Sequence, residues 1–369
     1  MVDGVGSKVC VVGGGPAGLL SSYVLVNLGF EVSIFEEHRE VGIPRHCSGM
    51  LSDYVVSSLS GFVKDCVVGR FRSYALILDT HSSFKEVSTL TFNEYVYAVD
   101  REKLEKNVYE VLTSSGVDVR LKNKVMEISF NPLRITLESG KYETCDYVVV
   151  GEGAVRRLSK SLGFCKSVKN AFGLQAVIKT SKTLEVPYVV LSKFFDKDSF
   201  GWVIPLENKE ALVGVISRNN LRLRLAYLIK KFLRYEGLRD LNLINVFGGL
   251  IPLDTPCSTV IKEHNVIAVG DAASMIKPIS KGGLYPITLS IQALRKSVRR
   301  GDIDLKLYVE NMKSIVSKLR TQHIVKDVVM FFGGYYNLVK LLNEFKVREV
   351  KVLKYDDLVL KGMSLISKR

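Results

Sequence analysis

The amino-acid sequence predicts an α/β (α+β) chain: a Rossmann-like dinucleotide-binding domain with an inserted β-meander, an antiparallel-sheet second domain and a C-terminal helical segment. Three observations lead there. A short β-rich run, KVCVV, passes directly into GGGPAG and then an apolar helix-like stretch. A second strand-to-glycine junction, VIAVGDAAS followed by KGGLYP, recurs far downstream. Between them lie runs that alternate apolar and polar residues, as half-buried antiparallel strands do.

GGGPAG matches G-x-G-x-x-G through Gly13, Gly15 and Gly18. The first glycine permits the tight turn, the second lets backbone approach a diphosphate, and the third lets helix and strand pack closely. The helix LLSSYVLVNLGF turns its N-terminus to the phosphates. The next strand, EVSIFE, ends in Glu36, where a carboxylate accepts hydrogen bonds from an adenosine ribose. Cys10, inside the first strand, reads as core.

A nicotinamide-dependent enzyme would continue with alternating strands and helices. Here a loop, PRHCSGM at 44–50, comes next, with a cysteine in polar surroundings. In AVDREKLEKNVYEV, Asp100 caps and Arg101 opens an amphipathic helix. VRLKNKVMEISF, LRITLES and KYETCDYVVVGEGA then read as two or three antiparallel strands. Such a meander inside a doubly wound domain favours FAD over NAD. Downstream, Gly270 and Asp271 follow an apolar strand, where the carboxylate suits a ribityl or diphosphate group. Gly282, Gly283 and Leu284 open a helix whose backbone N–H groups suit a flavin ring or phosphate.

The expected domains are 1–75 with 94–160 and 256–325 for FAD, 76–93 with 161–255 for substrate, and the C-terminal helical segment 326–369. At 369 residues and 47% apolar composition, the chain has ample core for two domains. No run is apolar and long enough to span a bilayer. MVDGVGSK carries no secretory signal, and the six cysteines lie far apart without a CxxC pair. The expectation is a cytoplasmic protein with reduced thiols and no metal site. Fifty-two Lys+Arg against 38 Asp+Glu give a net charge of +14. The basic residues are scattered and no nucleic-acid-binding signature occurs, so nucleic acid is not the expected partner.

In combination, GGGPAG, the Arg-x-Cys-Ser loop, the Arg101 helix, GEGA and GDAA…GG resemble the FAD-dependent geranylgeranyl reductases, closest to the archaeal enzymes acting on ether-lipid chains (digeranylgeranylglycerophospholipid reductases). The resemblance covers roughly residues 7–300 and implies a p-hydroxybenzoate-hydroxylase-like flavoprotein fold. It implies FAD contacts at Gly13, Gly15, Ala17, Gly18, Glu36, Arg45, Cys47, Ser48, Gly49 and Arg101, at the backbone of Val125, and at Gly270, Asp271, Gly282, Gly283 and Leu284. Ser48 stands where the family usually has glycine, and Leu284 where it often has isoleucine. In the implied fold, Cys47 lies beside the flavin ring at the substrate end.

FGWVIP at 200–205 holds the chain's sole tryptophan and is similar to the reductase signature that lines the lipid tunnel, implying Phe200, Trp202 and Pro205 as substrate contacts. Saturating an isolated alkene needs a hydride at one carbon and a proton delivered to the other. Proton delivery builds positive charge at the tertiary carbon that takes the hydride, which aromatic faces stabilise by about 0.5–2 kcal/mol each. Phe200, Trp202 and Tyr285 are the candidates, with Cys47 a candidate for positioning or proton relay. The implied activity is reduction of prenyl chains in ether-lipid precursors or a prenylated quinone, with ferredoxin or NAD(P)H as electron donor. A monooxygenase or halogenase on the same fold, or an FAD electron-transfer protein, are the rival readings. LRLRLAYLIKKFLRY at 221–235 segregates basic from apolar residues. It is either a solvated face over a core stripe or a contact with an anionic membrane surface. VVMFFGGYYNLVKLL at 328–342 reads as a helical cap on the tunnel or a protein interface.

Overall fold

The computed structural model describes residues 6–80, 82–238 and 242–357. These form two compact units. The first takes residues up to Ile43, Glu102–Asn170 and Pro252–Thr321; the second takes Pro44–Arg101, Ala171–Ile251 and residues from Gln322 on.

The first unit is built on a six-stranded sheet. Its order is Val260–Ile261, Val266–Ala268, Tyr147–Val150, Lys8–Val12, Glu31–Phe35 and Asp118–Arg120. All neighbours pair in parallel except the Val260–Ile261 edge. Val9, Val11, Val148, Val149 and Val150 are wholly buried. Continuous apolar strands of this kind are what a parallel sheet covered on both faces demands. The Pro16–Val26 helix follows the first strand, with proline in its first turn where the missing N–H costs nothing. The expected meander is present as Val125–Ser129, Arg134–Leu137 and Tyr142–Thr144. The runs flanking it, Asp118–Arg120 and Tyr147–Val150, join the parallel sheet instead.

The second unit holds a nine-stranded mixed sheet. Its main path runs Asn242–Pro252, Asn170–Lys179, Glu210–Ser217, Gly201–Leu206, Tyr188–Leu191, Val67–Asp79, Phe84–Val99 and Glu349–Val352, with Met50–Ser52 paired to Phe84–Val99. One face packs on the Leu221–Tyr235 helix, where Val203, Val213, Val215, Leu228 and Phe232 are wholly buried. The expected antiparallel domain is there, but its extent differs from the sequence expectation. Residues 44–75 and 94–101 group with this unit, because Val67–Asp79 and Phe84–Val99 form one long hairpin. Val67–Asp79 in turn pairs with Tyr188–Leu191, and a boundary at residue 75 or 94 would cut a continuous hydrogen-bonded ladder. The C-terminal segment is also more than helical: after the Tyr335–Glu344 helix, Glu349–Val352 adds a parallel edge strand. Residues 358–369 of that expectation lie outside the described residues.

The expectation of six reduced thiols is overturned. Cys10 is bonded to Cys145, and Cys165 to Cys257, within the first unit. Pairs 135 and 92 residues apart give no local signature; only the pairing of Lys8–Val12 with Tyr147–Val150 brings Cys10 beside the segment that carries Cys145. Cys47 and Cys66 are the two cysteines outside a disulfide. No helix among the described residues is long and apolar enough to cross a membrane, and no His, Cys, Asp or Glu cluster among them suits a metal ion. Thiol titration of the protein unfolded without reductant should therefore count two thiols, rising to all six after reduction; six from the outset would refute both bridges.

Candidate functional site: a glycine-lined helix junction and an aromatic sheet face

In the first unit the glycines of GGGPAG serve distinct purposes. Gly13 has φ +98°, and a Cβ there would stand 2.4 Å from the Gly151 carbonyl oxygen. A Cβ on Gly18 would stand 1.9 Å from the Gly13 carbonyl oxygen. Gly15, the helix N-cap with φ −77°, has nothing within 4 Å of its Cβ position. The space above it is open, as the close approach of a diphosphate requires.

The downstream motif meets the same helix start. A Cβ on Gly270 would lie 2.9 Å from the Ala17 Cβ, so the Gly270–Ala273 turn rests on the first turn of Pro16–Val26. Asp271 Oδ1 lies 3.2 Å from the Cβ position of Gly283, which caps the Leu284–Lys296 helix. Gly282 sits against the stem of Lys277, where a Cβ would come within 2.8 Å. Two helix N-termini, each a partial positive charge, are thus bridged by the Gly270–Asp271 pair.

Glu36 is 7% exposed at the end of its strand. Its Oε2 accepts the Gly14 N–H at 2.5 Å, while Oε1 accepts the His38 N–H at 2.8 Å and meets His38 Nδ1 at 2.5 Å. The carboxylate expected to meet a ribose therefore also ties the glycine turn to residue 38, and its two oxygens have lone pairs left for a further donor. Sequence reasoning missed His38, which carries no spacing signal. It also missed Arg157, whose guanidinium donates to the carbonyls of Val125 at 2.7 Å and Met126 at 2.6 Å. In GEGA, Glu152 accepts the N–H groups of Leu158 and Ser159 and so caps the Arg157–Ser161 helix. Fully buried Arg156 then binds Asp254 at 2.8 Å and Asn170 at 2.6 Å.

Tyr285 does not fit its expected role. Lys277 and Lys318 hold their ammonium groups 5.7 and 5.1 Å from its ring centroid, and Lys318 donates to its hydroxyl at 3.2 Å. A ring already facing two cations is a poor stabiliser of a third.

In the second unit the PRHCSG loop and Arg101 come together. Arg101 Nη1 donates to Cys47 Sγ at 3.2 Å, and Arg45 reaches Asp100 at 3.6 Å. Gly49 has φ +78°, and a Cβ there would strike the Val99 carbonyl oxygen at 2.1 Å. Half-buried Ser48 lies between that glycine and the thiol. Arg45 lies over Phe247, and the Cβ position of Gly249 is 2.5 Å from His46 Cβ, so the loop rests on the Asn242–Pro252 strand. Tyr355, which no pattern pointed to, packs edge-on to Tyr74 and Phe92. Burial pushes its hydroxyl up to about 12, against the opposing hydrogen bond with Tyr74 and with help from Asp356 and Cys47.

Register decides what shares a face with Trp202. Trp202 is paired with Gly214, which is paired with Gln175. The indole lies across Gly214, whose Cβ would be 2.2 Å from Trp202 Cζ2, and its far edge reaches 3.9 Å from the Cβ position of Gly173. Phe200 is on the same face, with its ring centroid 6.2 Å from that of Trp202. Pro205 is not: three residues from Trp202, it points to the other side of the sheet, the side of Val203 and the Leu221–Tyr235 helix. Glycine-rich strands flank the indole, and neither Gly214 nor Gln175 was singled out from sequence, since their role depends on cross-strand pairing.

The Leu221–Tyr235 helix separates as expected, with Leu225, Leu228, Ile229 and Phe232 buried. Two of its five basic residues are engaged inward, however. Arg224 pairs with Asp196 at 2.5 Å, and Lys231 with buried Asp79 at 3.2 Å, where Ser192 and Tyr227 also donate.

A parallel sheet with two glycine-led helix starts, carried with a large mixed sheet, defines a dinucleotide-binding fold of the flavoenzyme type. The model of the lycopene cyclase protein family matches residues 8–292. The chain belongs to that family. Relatives include the uncharacterized protein MJ1520 of Methanocaldococcus jannaschii, 28% identical over 286 residues and covering 75% of this chain and 71% of its own. The digeranylgeranylglycerophospholipid reductase of Thermoplasma volcanium is 22% identical, covering 86% and 85%. Among solved structures, the geranylgeranyl bacteriochlorophyll reductase-like protein of Thermoplasma acidophilum superposes with a TM-score of 0.80 at 19% identity, covering 97% and 96%. CmlS, a flavin-dependent halogenase, gives 0.68 at 18% identity, covering 98% of this chain and 70% of its own. The expected kinship with archaeal geranylgeranyl reductases is borne out, and so is the expected fold.

The open space at Gly15 is testable. Gly15→Val has an allowed φ and meets no protein atom, so the variant should melt within a few degrees of flavin-free wild type. It should lose the yellow colour of a bound flavin, because the side chain fills the diphosphate's approach. Undiminished flavin content in the folded variant would remove the turn from the cofactor site.

Proposed function

We propose that this protein is an FAD-dependent reductase that saturates isolated C=C bonds of geranylgeranyl or related prenyl chains, in membrane ether-lipid precursors or a prenylated quinone. The observation that carries the proposal is the meeting of two helix N-termini over an open glycine with Glu36 alongside. The names of the reductase relatives support the substrate class. Gly13, Gly15, Ala17 and Gly18 would hold the diphosphate, Glu36 the ribose, and Asp271, Gly283 and Leu284 the ribityl and ring end. FAD, when bound and reduced, supplies a hydride from N5.

The chain's own residues do the rest. The Phe200–Trp202 pair offers an apolar, water-poor face and two aromatic surfaces for a tertiary carbon that gains positive charge, at about 0.5–2 kcal/mol per ring. Cys47, held by Arg101 at 3.2 Å, is the proposed protic or positioning group near the alkene. Ferredoxin or NAD(P)H is the proposed electron donor. Peripheral contact with an anionic membrane surface is part of the same reading. Arg222, Lys230 and Arg234 are exposed on the Leu221–Tyr235 helix. Phe331 and Phe332, 86% and 71% exposed, add apolar anchors at the end of the Leu305–Phe331 helix.

Anaerobic incubation of the dithionite-reduced holoprotein with a geranylgeranyl ether lipid should raise product mass by about two units per saturated bond, as addition of hydride plus proton requires. Turnover only with oxygen, giving hydroxylated or halogenated product, would replace the reductase with a monooxygenase or halogenase. Reoxidation by a protein acceptor alone would point to electron transfer. Co-sedimentation with vesicles should need anionic lipid, weaken as salt rises and drop when Arg222, Lys230 and Arg234 are reversed to Glu. Unchanged sedimentation in that triple variant would leave the helix a solvated face.

A further inference from the structure

Three strands place two buried polar atoms without hydrogen-bond partners in one row of the sheet. Gln175, Gly214 and Trp202 occupy one row across Asn170–Lys179, Glu210–Ser217 and Gly201–Leu206, on the face turned away from the Leu221–Tyr235 helix. Gln175 is 1% exposed and its Oε1 accepts no hydrogen bond. The Trp202 Nε1–H, directly over Gly214 at 2.7 Å from its Cβ position, is buried and donates to nothing. A buried amide oxygen and a buried indole N–H each cost about 1–3 kcal/mol when left unpaired. Such a cost at two positions of one row, on either side of Gly214, marks a place where a partner is taken up. Gly214 is what opens the space: any side chain there would push the indole off the row.

The chemistry of the pair narrows the partner. One atom is a donor only and the other an acceptor only. A group that accepts from the indole and donates to the amide must carry both a lone pair and an O–H. Ether oxygens and carbonyls satisfy one side alone; an anionic phosphate would face the amide oxygen with no proton to give. We propose that Trp202 Nε1–H and Gln175 Oε1 form a receptor for a single hydroxyl group on the substrate face, carried by a prenyl alcohol or by a water molecule bound with the chain. This rests on the prenyl-chain reading above and adds a polar contact to an otherwise apolar face. Its energetic logic is that of a site built to pair a hydroxyl, which rejects a ligand lacking it more strongly than an apolar pocket rejects an extra methylene.

Because Trp202 is the only tryptophan, its fluorescence reads this site directly. The flavin-loaded protein is titrated with geranylgeraniol, its methyl ether and the matching hydrocarbon. Wild type should bind the alcohol about tenfold more tightly than the hydrocarbon, the ratio one well-made hydrogen bond supplies, with the ether between. Gln175→Leu should bring the alcohol down to the level of the ether, whereas Gln175→Glu, which keeps an acceptor in the same shape, should retain the preference. Equal binding of all three ligands by wild type, weakened alike in Gln175→Leu, assigns the hydroxyl to a water. Equal binding by both proteins, or a preference that survives Gln175→Leu, overturns the receptor. If no prenyl ligand perturbs Trp202 in the flavin-loaded protein, the prenyl-chain reading falls together with the receptor. Chain binding without any effect of residue 175 removes the receptor alone. Should Gln175→Leu fail to fold, the alcohol-to-ether ratio in wild type and Gln175→Glu still decides.

Discussion

A carbonyl oxygen 1.9 Å from where the Cβ of Gly18 would stand is the constraint on which the first unit depends. The Pro16–Val26 helix can sit that close to the preceding turn only because no side chain intervenes. The same closeness brings Gly13 against Gly151 and Ala17 against Gly270, so three strand ends meet at one helix start. Each strand supplies a different element: the glycine turn, the GEGA turn that Glu152 and Arg156 brace, and the Gly270–Asp271 turn that leads to a second helix. Relaxing any of these contacts would separate the two N-termini and dilute the positive end they offer to an anion.

The second unit solves a different problem with the same residue. Its broad sheet has an apolar face against the Leu221–Tyr235 helix and a second face opposite that carries Trp202. Period-two alternation supplies the first through Val203, Val213 and Val215. On the other face, Gly214 makes room for an indole laid flat across the strands, and Gly173 and Gly249 keep the neighbouring strands low. Tertiary packing then sets the loop that bears Cys47 upon Asn242–Pro252 and directs Arg101 to the thiol. A loop and a helix start 54 residues apart in the sequence become one cluster through Gly49 and its contact with Val99.

Much of the candidate site was legible because its residues are locally constrained. Gly13, Gly15 and Gly18 are needed by turn geometry and close packing over six residues, and a strand and a helix flank them. Glu36 and the Gly270–Asp271 and Gly282–Gly283 pairs follow similar short-range rules. Where expectation and structure part, the cause lies in long-range pairing. Pro205 shares a motif with Trp202 but has the opposite parity along the strand. Tyr285 has the right ring but stands between two lysines from different segments. Arg224 and Lys231 look like surface charge on a helical wheel, yet find Asp196 and Asp79 across the fold.

The sequence by itself determined the class of fold, the dinucleotide turn and its acidic partner, the second glycine-led helix, and the aromatic strand with the lone tryptophan. These are settled by periods of two and 3.6 residues, by glycine at forced positions and by the order of short motifs. The tertiary structure alone decided the two disulfides, the allotment of the 44–101 segment to the second unit, the partners of Glu36, and the row that joins Trp202 to Gln175 over Gly214. Those depend on strand order and register, which hydrogen-bonded ladders set between segments tens to more than a hundred residues apart, and a one-residue change of register would have put the opposite set of side chains on each face.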